Sequence, residues 1–171
     1  MRIFGALLVM AASTAAGWIY GALLKKRWQL LNALIQGFQW LGTEIGYGSV
    51  PLGEAFTRIG ARLPKEVQAL FTGFAAALNG AAGLTADEAW QESLTQNRDG
   101  LALTAEDWAV LSDFGRTLGT TDREHQVSAI RQTIARLTHQ ATEAEGEYRK
   151  NERLYRYLGM AAGALVVLVF Y

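Results

Sequence analysis

From Gln126 to Leu158 the chain reads QVSAIRQTIARLTHQATEAEGEYRKNERLYRYL, and this stretch decides the fold class. Val127, Ile130, Ile134, Leu137, Ala141, Ala144, Tyr148, Asn151, Tyr155 and Leu158 follow one another at alternating steps of three and four residues. That repeat lays a single seam along one side of a long helix. No proline interrupts it, and it runs straight into an apolar terminus. The seam has two readings: it docks on the first helix of the same chain, or it pairs with a second copy as a coiled-coil dimer, making the protein a homo-oligomer. In either, Asn151 is expected to fix the register. No segment of the chain alternates with the period of a strand, so the fold is read as all-α.

Working back from the seam, further helices are legible. Trp28 to Tyr47 carries Leu31, Leu34, Ile35, Phe38, Leu41 and Ile45 at helical spacing, the face of a first helix. Pro51 and Pro64 suit the first turns of two more. Leu52, Ala55, Phe56 and Ile59 form the inner face of one; Val67, Leu70, Phe71 and Phe74 form that of the other. Gly80 and Gly83 break the pattern. Three later starts have the capping-box spacing, in which a Thr hydroxyl accepts a backbone N–H and an acid three residues on accepts one in return. They are Thr85 with Glu88, Thr104 with Asp107, and Thr121 with Glu124. The helices between them are expected to stop near Asn97 and Gly119. Together these elements make an antiparallel helical bundle of about six helices. Glu54-Ala55-Phe56 and Glu88-Ala89-Trp90 lie 34 residues apart, but two copies do not make a repeat array.

The two ends differ from the middle. Ile3 to Leu24 holds no charge and is closed by Lys25, Lys26 and Arg27; at about 1.5 Å per residue it is long enough to cross a hydrocarbon core. A cleavable signal peptide would place its basic cluster before the apolar run, so a membrane anchor is the reading adopted. Leu158 to Tyr171 is a shorter uncharged run preceded by Arg149, Lys150, Arg153 and Arg156. It reads as a short second transmembrane helix, the rival being a tail packed on the domain. Both runs carry their basic residues on the side facing the middle, which places the middle in the cytoplasm. The expected organisation is an anchor over residues 1–27, a cytoplasmic bundle over 28–153 and a short membrane helix over 154–171.

The 171 residues, about one domain's length, carry 16 Lys and Arg against 16 Asp and Glu, and no Cys. The neutral total excludes a globally basic nucleic-acid binder, and the missing Cys excludes disulfides and thiolate metal sites. The neutrality hides a segregation: residues 28–148 hold eight basic and fifteen acidic side chains, a net of −7, while the other basic residues flank the apolar runs. Nine of the acids lie between Thr85 and Glu124, against three arginines. This stretch is read either as a docking face, with Asp99, Asp107, Asp113, Asp122 and Arg123 as candidate partner contacts, or as a solvated surface repelled by anionic lipid.

Catalytic signals are missing. Neither G-x-x-x-x-G-K-[ST] nor G-x-G-x-x-G occurs. His125 and His139, 14 residues apart on one helix, are separated by about 21 Å of axis and cannot share a metal within one chain. No catalytic residue, cofactor or metal site is expected, and the protein is read as a non-enzyme.

Several short runs carry a resemblance when taken in order. They are Glu44-Ile45-Gly46-Tyr47-Gly48 leading to Pro51-Leu52; Phe114-Gly115-Arg116-Thr117-Leu118-Gly119 followed by Asp122-Arg123, Gln126 and Ile130; and Lys150-Asn151-Glu152 with Leu158-Gly159. With the basic-closed anchor, these resemble the stage III sporulation protein AB family of endospore-forming bacteria. The chain departs from that pattern at Val50, where Thr is common, and at Trp28-Gln29, where a Pro-Arg entry is common. The family is similar in turn to the cytoplasmic domain of the inner-membrane platform proteins of type II secretion and type IV pilus machines. The resemblance implies a membrane platform subunit of the channel apparatus between mother cell and forespore. Its place would be the mother-cell side, in the outer forespore membrane. Its partners would be a secretion-type ATPase, stage III sporulation protein AA, other channel subunits and membrane lipid, with no nucleic acid. The alternative is a membrane-anchored scaffold or regulatory protein with a soluble cytosolic partner.

Overall fold

The computed structural model describes the backbone over residues 2–47, 50–81, 83–119 and 122–170. Side chains are described over residues 22–47, 50–81, 83–119 and 122–151, and at Leu154. The described residues form six α-helices: α1 (Arg2–Tyr47), α2 (Leu52–Gly60), α3 (Lys65–Leu78), α4 (Ala86–Gln96), α5 (Ala105–Gly115) and α6 (Arg123–Phe170), with a 3-10 turn at Arg98–Gly100 between α4 and α5. The described residues contain no strand.

The outer helices are continuous with the apolar runs, as the lack of a proline between them allows. α1 has 46 residues and α6 has 48, about 69 and 72 Å of helix. The apolar leader and the helix after it are one rod, unbroken at Trp28-Gln29, because nothing there removes a backbone N–H. α6 likewise continues through Leu158. Among the described residues no helix is long and apolar enough to cross a membrane. The runs read as membrane helices, Ile3 to Leu24 and Leu158 to Tyr171, lie outside the residues whose side chains are described, save at 22–24.

The chain divides into two compact units, Gln29–Ala141 and Met1–Trp28 with Thr142–Tyr171. The first holds the aromatic core. Trp90 of α4 is fully buried, with Phe74 and Phe114 each 5.6 Å away, Phe56 at 5.7 Å, and Phe38 and Phe71 each at 6.3 Å between ring centroids. Most meet edge to face, the geometry in which a positive ring edge faces a negative ring face. The indole N–H donates to the Leu111 carbonyl at 2.7 Å, so the one polar atom of Trp90 is paired inside the core. Ser93, one turn on, donates to the Leu70 carbonyl at 2.7 Å and ties α4 to α3.

Local signals set most helix ends. Thr85 and Thr104 form complete capping boxes with Glu88 and Asp107, whose carboxylates accept the Thr backbone N–H at 2.8 Å in each case. Pro51 and Pro64 stand one residue before their helices, as N-caps with no side-chain bond. The box expected at Thr121 with Glu124 needs the Thr121 hydroxyl. Thr121 lies outside the described residues, and α6 is started by Asp122, whose carboxylate accepts the His125 N–H at 2.9 Å. Asp caps a helix without help from a third-position acid. α5 closes at Gly115, earlier than the stop expected near Gly119. Gly119 ends the following turn with φ +74°, a conformation open to a residue without Cβ.

Within this unit α1 and α6 run antiparallel: Gly42 faces Ile130, and further along α1 Ile45 meets Arg123, earlier in α6. Of the seam, Ile130, Leu137 and Ala141 are buried, so it is used within the chain. In the second unit Ala144 is buried and Trp28 of α1 stacks on Tyr148, with centroids 6.5 Å apart and an interplanar angle of 8°. Among the described residues, Asn151, the residue expected to fix the register, makes a bond within its own helix. Its amide donates to the Glu147 carbonyl, one turn back on its own helix, at 3.0 Å.

Candidate functional site

The two sequence runs at the heart of the resemblance meet at one end of the Gln29–Ala141 unit. The last carbonyls of α1 have no helical partner. Arg123, in the first turn of α6, donates Nε to the Ile45 carbonyl at 2.6 Å and satisfies one of them. A cation at a helix C-terminus is also favoured by the macrodipole. Glu44 lies 3.7 Å from Arg58, which pairs with Glu54 at 2.7 Å and so links α1 to α2. At this junction Tyr47, the last residue of α1, is 91% exposed.

The turn before α6 is equally constrained. Thr117 donates to the Phe114 carbonyl at 2.7 Å. A Cβ at Gly115 would lie 2.6 Å from Cδ1 of Trp90, 2.7 Å from Oδ1 of Asp87 and 2.8 Å from Nε2 of Gln91. Only glycine lets α5 approach α4 this closely. Asp122 also accepts from His125 through the imidazole Nδ1 at 2.7 Å. The His125 backbone N–H and then its ring hold the Asp122 carboxyl below its ordinary range, and the Asp122 carboxylate holds the His125 imidazole above its own. Glu88 is likewise lowered, first by the Thr85 backbone N–H and then by its hydroxyl.

The five residues read as partner contacts separate into two groups. Asp107 is fully buried and spent on its capping box, so it offers nothing to a partner. Its neighbour Trp108 is also buried, which fixes the first turn of α5 with the carboxylate inward. Asp113 bridges Arg136 of α6 at 2.9 Å and Arg116 at 3.8 Å, so it joins α5 to α6. Arg123 clamps α1, and Asp122 caps α6 while remaining exposed at the surface. Asp99 alone of the five is exposed with no ion pair among the described residues; it sits in the 3-10 turn beside Arg98, whose guanidinium lies 5.9 Å from the Trp108 ring. Glu106, the first-turn neighbour of Asp107, is also exposed without an ion pair among the described residues. Its fate and that of Asp107 differ by one residue of helix rotation, which charge counting does not distinguish.

Comparisons with known proteins match the chain along nearly its whole length. The family model described as stage III sporulation protein AB matches residues 2–171. The chain is 32% identical over 169 residues to Stage III sporulation protein AB of Bacillus subtilis (strain 168), covering 99% of this chain and 98% of that one. A solved structure of a Stage III sporulation protein AB superposes with a TM-score of 0.69 at 32% identity, covering 72% of this chain and 97% of the other. With the resemblance carried by residues that meet in space and matched from end to end, the chain belongs to the stage III sporulation protein AB family.

Proposed function

We propose that this protein is a non-enzymatic membrane platform subunit of the sporulation channel apparatus, and that its helical head receives a secretion-type ATPase, stage III sporulation protein AA. The observation that carries the reading is the segregation of charge along a chain of this family. An acidic head of net −7 over residues 28–148 stands between two basic-closed apolar runs. Such a chain is held at a bilayer by its ends and leaves the acidic middle to meet a partner in the cytosol. The head presents Asp99, Glu106 and Tyr47 to solvent, two free charges and one aromatic ring of the kind that anchors interfaces. The mother-cell side of the outer forespore membrane is the location that fits this role, with other channel subunits and lipid as further neighbours.

The test is co-purification from detergent. The solubilised full chain should retain a hexameric ATPase, and the association should weaken as salt rises, because exposed charges act mainly on encounter. Replacing Asp99 and Glu106 with Lys should weaken it further while circular dichroism is unchanged. Retention indifferent to both salt and the double reversal removes the acidic face as the dock. Capture of a soluble protein with no ATPase activity favours the alternative, a membrane-anchored scaffold or regulator.

A further inference from the structure

In the unit formed by Met1–Trp28 and Thr142–Tyr171, the described cationic side chains fall into two classes. The two arginines among the described residues are engaged: Arg27 pairs with Glu147 at 3.7 Å, and Arg149 binds Glu145 through Nη2 at 2.6 Å and Nε at 2.9 Å. Lys25, Lys26 and Lys150 are exposed, and no ion pair among the described residues reaches them. Their placement is ordered by the stack of Trp28 on Tyr148. The chain before Trp28 and the chain after Tyr148 belong to one compact unit, so they leave the stacked rings in the same direction. Along that direction Lys26 and Lys150 each stand about 3 Å past the rings, and Lys25 about 4.5 Å.

The next level is apolar. Three large hydrophobic side chains are exposed among the described residues, and two of them, Leu23 at 51% and Leu154 at 53%, lie about 7.5 and 9 Å past the same rings. Leu23 is three residues from Lys26 and Leu154 four from Lys150, so each exposed leucine shares a helix face with a free lysine. Two helices thus repeat one order of aromatic ring, free ammonium and outward leucine. A soluble partner has no reason to match that order on both helices. A bilayer imposes it, with rings and ammonium groups among the headgroups and leucines against the acyl chains.

We propose that Lys25, Lys26 and Lys150 form a collar that binds the phosphate-bearing headgroups of anionic phospholipids, so that the protein selects its lipid neighbours. The proposal rests on the membrane reading above. The full chain is reconstituted into phosphatidylcholine vesicles containing trace spin-labelled phosphatidylglycerol or spin-labelled phosphatidylcholine, and the motionally restricted fraction of each label is compared. The unaltered protein should restrict phosphatidylglycerol several-fold better, with each lysine contributing at most about fivefold and high salt reducing the preference. Lys25→Gln, Lys26→Gln and Lys150→Gln together should bring the two lipids to parity, whereas Arg149→Gln, whose charge is already held by Glu145, should leave the preference in place. Parity in the unaltered protein while it stays in the vesicles after alkaline carbonate overturns the collar and spares the membrane reading. Extraction by carbonate overturns both. Loss of the preference on adding inorganic phosphate at constant ionic strength would assign the lysines to free phosphate and also overturn the proposal.

Discussion

Gly115→Ala tests the centre of the bundle most directly. In an exposed helix this exchange stabilises by up to about 1 kcal/mol, because alanine loses less backbone entropy than glycine. Here the added methyl meets Trp90 at 2.6 Å, Asp87 at 2.7 Å and Gln91 at 2.8 Å. The two polar side chains can swing aside, but Trp90 is enclosed by five phenylalanine rings and bonded to the Leu111 carbonyl. Overpacking a filled core costs about 1 to 3 kcal/mol, and displacing the indole from its carbonyl adds about 1 to 3 kcal/mol for the unpaired group. Offset by the helical gain, the expected net loss is about 1 to 5 kcal/mol. Urea unfolding of the segment Trp28 to Arg153, followed by circular dichroism and tryptophan emission, measures it. The midpoint should fall with the slope unchanged, as a change in stability without a change in exposed area requires. Gly146→Ala is the control: no atom lies within 4 Å of its Cβ position, so the helical gain of up to about 1 kcal/mol should appear alone. A Gly115→Ala midpoint at or above that of the parent would refute the idea that Trp90 is held in place by its neighbours.

Three further outcomes are expected. The segment Trp28 to Arg153 should be soluble without detergent and strongly helical, since its core closes within Gln29–Ala141; aggregation cured only by detergent would contradict this. A cytosolic reporter inserted at Asn97 of the full chain should be active and an exported one silent, the reverse result inverting the topology. The start of α6 should depend on pH in both directions. The lowered Asp122 carboxyl stabilises it fully above an ordinary 3.8, and this is lost as pH falls through the depressed value. The raised His125 imidazole stabilises it fully below an ordinary 6.5, and this is lost as pH rises through the elevated value. Amide exchange at residues 123–126 should therefore be slowest, relative to its intrinsic rate, between those limits. In His125→Gln the upper limb should vanish, and an upper limb that persists would exclude the pair as its source.

The sequence by itself determined the helices, because what makes them is local. The heptad steps of α6, the inner faces of α2 and α3, and the boxes at Thr85 and Thr104 are relations between residues at most four apart, and all were legible in order along the chain. Even Asp107, a poorer third-position match than Glu, caps as its spacing requires. The acidity of the head was equally legible, since charge is a sum over residues. Only the tertiary structure decided which of those charges are free. Asp107 turns inward with Trp108, Asp113 is claimed by Arg136, and Arg123 by a carbonyl 78 positions away. It also made Trp90, half of a repeat signal too weak to use, the ring around which five others pack. Neither outcome follows from spacing along one helix, because each depends on which face of a distant helix arrives opposite. That is fixed by how the aromatic faces of α1 to α5 fill one another's volume.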